Sequence, residues 1–434
     1  MERRKRDNPV VVGLDVGTTK VCAIVGELGA EGVTVRAVSS HPSSGLRKGV
    51  VVDLEATAAT IKKVIAEIAE QAGVGTREVY VGIAGSHIKS ASSYGAVGIK
   101  GKEVTPEDVE RAIDAASAIY VPLDREILHV LPTDFILDGQ DGIKDPVGMA
   151  GVRLEVKVCI VTGAVTSVQN LIKCCERAGL EVADIILQPL ASAEATLTPY
   201  EREMGIMLVD VGGGTTDMAM YQDSWLRHTA VLGIGGNHFT NDLAVGLRLP
   251  FHEAERVKKH YGSVIPSDLT PLPAGTNGDA EVEVVSLDGQ VRGIPKKYIE
   301  EILHPRAEEL LELINEEMRT VQGGGIAIAG VVLTGGSSLL AGFDRMAEAV
   351  LSMPVRIGYP GRALDRFPDD APAPLPVNGL EEAFDSPLYA TGIGLVLHGA
   401  EVLLPAENSA VSSAVLSRIV TRMTGWFKKI IRKK

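Results

Sequence analysis

The sequence predicts an α/β protein built by duplication, with a smaller α+β subdomain inserted in its first half. Three observations carry that prediction. One loop design occurs twice, as Leu14-Asp15-Val16-Gly17-Thr18-Thr19-Lys20 and as Val209-Asp210-Val211-Gly212-Gly213-Gly214-Thr215-Thr216-Asp217. Apolar strand-like runs flank each copy, at residues 9–15 and 21–25 and at 205–210 and 218–221. Each copy therefore reads as a tight β-hairpin whose first strand ends in Asp. Between the copies, residues 86–162 change texture to short strands around one well-signalled helix.

The elements follow in order. Residues 8–38 read as successive short strands. Residues 53–70 form an amphipathic helix, because Leu54, Ala58, Ile61, Val64, Ile65 and Ile68 recur at helical spacing; Gly73 and Gly75 end it. A buried strand is expected at 79–84. In the insertion, Thr105 is the N-cap and Pro106 the first residue of a helix running to about Tyr120. Strands are expected at 127–131, 135–137 and 154–161. A helix over 164–178 and a strand over 182–187 lead to a Gln188-Pro189-Leu190 turn and a further helix. After the second hairpin come helices following Gly233-Ile234-Gly235-Gly236 and over 251–261, then a loop at 263–277. A hairpin around Asp288-Gly289 and a long helix over 296–321 follow. Residues 330–340 give a buried strand, a Gly-Gly turn and a helix start. Residues 360–376 are a Pro- and Asp-rich loop, 386–398 a helix and 400–413 a linker.

Composition narrows the class. The 434 residues are 45% hydrophobic and 23% charged, which fits a globular chain of two to four domains. Net charge is −13, and it is uneven. Residues 414–434 carry seven cations and no acid, leaving −20 for the rest. An acidic body argues against nucleic acid as a partner. The basic residues 1–6 have no apolar run and do not read as a signal peptide. Cys22, Cys159, Cys174 and Cys175 lack metal-ligand spacing and read as buried reduced thiols. No run of 18 apolar residues occurs, so no spanning helix is expected.

The repeated loop carries chemistry. Glycine brings bare backbone N–H groups close to an anion, and the Thr hydroxyls and Lys20 add donors and charge. One such loop is often an ordinary turn; two copies in one frame point to a polyphosphate held between two halves. A third loop, Thr334-Gly335-Gly336-Ser337-Ser338, offers small residues at a helix start. Asp15 and Asp210 would repel a polyphosphate by roughly 1 kcal/mol per close charge pair even in water. A bridging Mg²⁺, keeping several waters, converts that conflict into attraction. Either Asp alone is equally a strand-end turn cap.

The three loops in this order resemble the nucleotide-binding signature of the actin, sugar-kinase and heat-shock-chaperone superfamily. That resemblance implies an actin-like (ribonuclease H-like) fold with ATP and Mg²⁺ in the interdomain cleft. It implies that Gly17, Thr18, Thr19 and Lys20 grip phosphates with Gly212, Gly213, Gly214, Thr215 and Thr216, and that Asp15, Asp210 and Asp217 belong to the same nucleotide site, Asp15 and Asp210 through the metal. Gly335, Gly336, Ser337 and Ser338 would line the nucleoside. Gln188 sits where related ATPases position the attacking water, and Gln188 and Asp210 are the candidate catalytic residues; a Gln before Pro is also an ordinary turn residue. Glu255 and Lys258 are candidate nucleoside contacts, or else a solvated i,i+3 pair.

The insertion narrows the resemblance. His129-Val130-Leu131-Pro132, 138–143 (Asp-Gly-Gln-Asp-Gly-Ile), Pro146-Val147-Gly148-Met149, Gly151-Val152-Arg153-Leu154 and the run from Val81 to Ile88 resemble the FtsA family of bacterial cell-division proteins. The resemblance covers about residues 8–400 and recurs at the C-terminus. Cys159 departs from it, standing in a strand where many members have His. The resemblance implies a tether for the division ring on the cytoplasmic membrane face at the division site. The implied partners are the C-terminal tail of the tubulin-like protein FtsZ, docking around residues 242–300, other divisome proteins, and further copies in filaments. Enzyme-class alternatives are a small-molecule kinase of this fold, for which no acceptor base stands out, and a pilus-assembly ATPase. A chaperone would need a substrate domain after residue 400, and none is expected.

The implied organisation is a basic N-terminus (1–7), a first actin-like domain (8–85, 163–195, 377–399) and the insertion (86–162). A second actin-like domain (196–241, 301–360) carries a subdomain at 242–300; a Pro-rich loop (361–376) and linker (400–413) precede the last segment, 414–434. In that segment Val415, Leu416, Ile419, Val420, Met423, Trp426, Phe427, Ile430 and Ile431 share one helical face. Arg418, Arg422, Lys428, Lys429, Arg432 and Lys433 lie largely on the other. This pattern predicts an in-plane membrane helix on anionic inner-membrane lipids, each cation adding about 1 kcal/mol.

Overall fold

The structure, a computed structural model, describes residues 8–30, 32–75, 77–265, 281–361 and 375–404. The first half opens with an antiparallel meander of β1 (Val10–Val16), β2 (Lys20–Gly29) and β3 (Gly32–Pro42). Two short strands, β4 (Leu46–Arg47) and β5 (Val50–Val51), precede helix α1 (Leu54–Ala72). Asp53 caps α1 by accepting the Glu55 and Ala56 N–H groups at 3.0 Å. Ala58, Ile61, Val64 and Ile68 form its buried stripe. Strand β6 (Glu78–Ile83) then lies parallel to β1.

The inserted sheet runs β7-β10-β8-β9, from β7 (Lys89–Gly98), β8 (Arg125–Leu137), β9 (Gln140–Ile143) and β10 (Arg153–Ala164). Helix α2 (Pro106–Ser117) covers it and starts in a Thr105–Asp108 capping box. The two strands expected at 127–131 and 135–137 are one, because register shifts against β10 carry β8 through Pro132. The chain returns through α3 (Val165–Arg177) and β11 (Glu181–Leu187), which is parallel to β6. Helix α4 (Gln188–Thr196) follows at once. The expected Gln188-Pro189-Leu190 turn is thus the first turn of α4, where the missing N–H of Pro189 costs nothing. A short α5 (Pro199–Met204), capped by Thr198 and Glu201, closes this half.

The second half repeats the design. Strands β12 (Ile206–Val211), β13 (Thr216–Gln222) and β14 (Trp225–Leu232) form the second meander. Helices α6 (Gly236–Gly246) and α7 (Phe251–Tyr261), the hairpin of β15 (Glu281–Val285) and β16 (Val291–Pro295), and α8 (Lys296–Gly323) come next. Strand β17 (Val331–Thr334) is parallel to β12, as β6 is to β1. The helix start expected in the third loop is a single 3₁₀ turn at Gly336–Leu339; α9 (Phe343–Leu351) begins later, before β18 (Val355–Ile357). Strand β19 (Val377–Gly379) returns to the first sheet beside β3. Helices α10 (Glu381–Phe384) and α11 (Ala390–Leu403) end the described chain. Residues 400–403, expected as linker, complete α11, with Ala400 fully buried.

The first sheet is ordered β11-β6-β1-β2-β3-β19 and the second β14-β13-β12-β17-β18. Helix α11 crosses α4 with Gly394 so near Ala191 that a β-carbon would overlap its carbonyl. Since α11 packs on β1, β2 and β6 and α4 on β12 and β13, this crossing links the two halves. Among the described residues no helix is long and apolar enough to cross a membrane. The basic amphipathic segment 414–434, the N-terminus 1–7 and most of the 263–277 and 360–376 loops lie outside the described residues.

Candidate functional site

Both hairpins exist, and each closes on itself. Gly17 N–H donates to the Lys20 carbonyl at 2.9 Å and Gly212 N–H to the Thr215 carbonyl at 3.0 Å. In β1, Asp15 pairs with Cys22; in β12, Asp210 pairs with Asp217. The tips meet. Gly213 faces Thr19 and Gly214 faces Thr18 with no room for a β-carbon on either glycine. Only glycine permits this approach, which explains the extra Gly in the second copy.

Around the tips lies a cavity of about 670 Å³, a size suited to a nucleotide-class ligand. Its walls include Asp15, Gly17, Thr18, Thr19, Lys20, Gln188, Asp210, Gly212, Gly213, Gly214, Thr215 and Asp217. Glu255, Lys258, Gly335, Gly336 and Ser337 also line it. Two expected residues are not on the wall. The Thr216 hydroxyl is buried and donates to the Ile234 carbonyl at 2.8 Å. The Ser338 hydroxyl turns back onto the Gly335 carbonyl at 2.7 Å. Ser337 donates to the Gly212 carbonyl at 3.1 Å, tying the third loop to the second hairpin.

The carboxylates are the unusual feature. Asp15, Asp210 and Asp217 are all buried. Burial pushes Asp15 up to about 6, opposed by Lys20 and assisted by Asp210. Burial pushes Asp217 up to about 8, although Thr215 donates to its Oδ2 at 2.8 Å. Asp210 is also raised by burial, while Ser192, at 2.6 Å, and Thr391, at 3.3 Å, donate to its Oδ2 and oppose the rise. The Oδ1 of Asp217 is buried without a hydrogen-bond partner. Such an orphaned acceptor between like charges fits a hard cation. Among the described residues no three His, Cys, Asp or Glu groups converge to hold a metal unaided. A cation here would therefore need water and phosphate oxygens as well.

Gln188 sits at the start of α4, and its amide donates to Asp15 Oδ1 at 2.9 Å. Lys20 donates to the Leu388 carbonyl and lies 4.9 Å from the centre of the Tyr389 ring. Gly49 N–H donates to Thr18 at 3.0 Å. Glu255 and Lys258 are not a solvated pair. They are 2.7 Å apart, largely buried, and anchored by Thr240 and the Gly236 carbonyl. Burial lowers Lys258, and its carboxylate partner Glu255 opposes the fall. Ser192, Thr391, Leu388 and Tyr389 were not legible as site residues. They come from α4 and from the segment before and within α11, and only folding brings them to the hairpins.

Two meanders linked through α4 and α11, with a nucleotide-sized cleft around their meeting hairpin tips, define an actin-like fold. Among solved structures, the chain resembles the type IV pilus biogenesis complex PilM-PilN, at a TM-score of 0.63 and 18% identity over 90% of this chain and 98% of that one. It also resembles Spiroplasma citri MreB5 bound to ADP, at a TM-score of 0.50 and 16% identity over 81% and 92%. At these identities the likeness shows the fold. Sequence comparison is more specific. The family model described as "SHS2 domain inserted in FTSA" matches residues 85–162, and "Cell division protein FtsA" matches residues 207–394. The chain is 42% identical to cell division protein FtsA of Pseudomonas aeruginosa over 409 residues, covering 94% of this chain and 93% of that one. It is 36% identical to the Escherichia coli K12 protein over 433 residues, covering 98% and 97%. The chain belongs to the FtsA family of cell-division proteins.

Proposed function

We propose that the protein binds ATP with Mg²⁺ in this cleft and uses the closed state to assemble on a membrane. The observation that carries the reading is the contact of the two hairpin tips above three buried carboxylates. The backbone N–H groups of both tips, Thr18, Thr19, Thr215 and Lys20 would hold the phosphates. Gly335, Gly336, Ser337, Glu255 and Lys258 would hold the nucleoside. Asp15, Asp210 and Asp217 would hold Mg²⁺, largely through water, and the ion would neutralise the phosphates. Ser192 and Thr391 orient Asp210. Gln188, fixed on Asp15, would position a water for slow hydrolysis.

Family membership and the C-terminal sequence support an assembly role. The protein would tether FtsZ to the cytoplasmic membrane face at the division site, polymerise into filaments and recruit later divisome proteins. Exposed Val245, Phe251, Leu287 and Val291 support docking of the FtsZ tail on the 242–300 subdomain. Residues 414–434 would lie in the plane of an anionic leaflet, with Trp426 and Phe427 at its boundary.

Vesicle co-sedimentation with and without ATP tests this reading, comparing the full chain with one ending at Ser413. The full chain should pellet with anionic vesicles, more strongly with ATP. Equal pelleting of the shortened chain would overturn the tether.

A further inference from the structure

Strand β8 of the inserted subdomain touches both halves of the molecule. On the first half, buried His129 accepts the backbone N–H of Leu187 through Nε2 at 3.0 Å. Leu187 is the last residue of β11 and the N-cap of α4, a helix start with no side-chain cap. The next residue is Gln188, whose amide reaches Asp15. Two residues beyond His129, Leu131 packs against core clusters of both halves. On the second half, the Thr133 carbonyl accepts from Arg227 at 2.6 Å, and Phe135 meets the Trp225 ring edge-on at 6.1 Å. One strand therefore braces the start of α4 against β14.

The bond needs a neutral imidazole, because a ring nitrogen accepts only through a free lone pair. Burial supplies this, holding His129 down at about 4 against the opposing charge of Asp184, with His398 adding to the fall. An N–H placed at the junction of strand and helix fixes where the first residue of the helix points. A small misdirection there moves a side-chain amide away from a partner it meets at 2.9 Å.

We propose that His129 is a positioning residue of the nucleotide site, holding the start of α4 so that Gln188 faces Asp15. Its part in hydrolysis rests on the reading of Gln188 given above; the positioning itself does not. The inserted subdomain thereby gains a one-bond line to the cleft.

The test uses the full chain labelled with ¹⁵N-glutamine, in wild type, His129→Phe and His129→Asn. Phe keeps a buried ring without an acceptor, and Asn restores an acceptor oxygen. The Gln188 side-chain amide signal, assigned by its loss in Gln188→Ala, should be shifted and protected in wild type. It should move to the solvent-exposed position in His129→Phe and return toward the native position in His129→Asn. A native Gln188 signal in cooperatively folded His129→Phe would overturn the proposal. Should His129→Phe not fold, wild type labelled with ¹⁵N-histidine decides through its imidazole ¹⁵N shifts. Bare Nε2 between pH 6 and 8 supports the bond, and protonated Nε2 excludes it. In ATP turnover, His129→Phe should lower kcat by roughly tenfold with KM little changed, and should add nothing to Gln188→Ala; independent, multiplying losses would contradict it. ATP binding is titrated separately, so its absence would strike the clamp and leave the Gln188 signal to judge His129.

Discussion

Gly213 faces Thr19 across the cleft so closely that a β-carbon on the glycine would stand 2.8 Å from the threonine Cβ. The second hairpin can reach the first only while that position stays bare. Gly213→Ala should wedge the tips apart and weaken Mg-ATP binding at least tenfold, about 1.4 kcal/mol. The fold should persist, since the tips lie at the cleft and not in either core. A fluorescent-nucleotide titration checks this, and unchanged affinity would show that the tips do not clamp.

Gln188 reaches Asp15 from the first turn of α4. Gln188→Ala should leave nucleotide affinity within about twofold while slowing single-turnover hydrolysis by roughly 100-fold, the scale of loss when a reacting group is misplaced by about 1 Å. Equal losses in affinity and rate would assign Gln188 to binding instead.

Asp217 predicts a pH dependence. Its folded form is raised by burial to about 8, so the fold holds the proton more tightly than the unfolded chain does. The sign follows from linkage: protonated Asp217 is tolerated at low pH, and stability is lost as pH rises from its ordinary value, 3.8, toward 8. Asp15 acts in the same direction, but mostly below 6. His87 and His129, both lowered to about 4 by burial, act oppositely and only below their ordinary value of 6.5. Between pH 6.5 and 8, nucleotide-free protein should therefore lose thermal stability, and Asp217→Asn should flatten the slope. Parallel melting curves for the two proteins would contradict the assignment.

Gly394 meets the backbone of Ala191 where α11 crosses α4. Gly394→Val should force the helices apart and destabilise the protein by about 3 kcal/mol, the upper range for overpacking. Denaturant unfolding measures it. A loss under 0.5 kcal/mol would mean that the crossing relaxes freely.

Much of the fold was legible because its signals are local. Thr105 caps the helix expected of it, the helix expected over 53–70 forms with Asp53 as its cap, and the doubled Asp-Val-Gly loop forms two hairpins of the same register. The misread positions share a cause. Gln188-Pro189 carries both a turn signal and a helix-start signal, and tertiary contact with His129 and Asp15 accompanies the helix. Thr216 and Ser338 belong to motif loops, yet their hydroxyls point back into the protein, a choice set by Ile234 and Gly335. The short helix α5 was not expected, although Thr198 and Glu201 cap it at capping-box spacing. Ser192 and Thr391 lie almost two hundred residues apart and converge on Asp210 only through the α4–α11 crossing. No local pattern encodes that meeting.

The proposed clamp joins two hairpins through one Mg²⁺-nucleotide. Its most direct test is an equilibrium titration of ATP into the full chain, with and without Mg²⁺, in wild type, Lys20→Ala and Asp210→Asn. One ATP should bind per chain, tightly only with Mg²⁺. Lys20→Ala should weaken binding at least tenfold, and Asp210→Asn should make it nearly indifferent to Mg²⁺. Tight binding that ignores Mg²⁺ in wild type, or that survives the loss of Lys20 unchanged, would contradict the clamp.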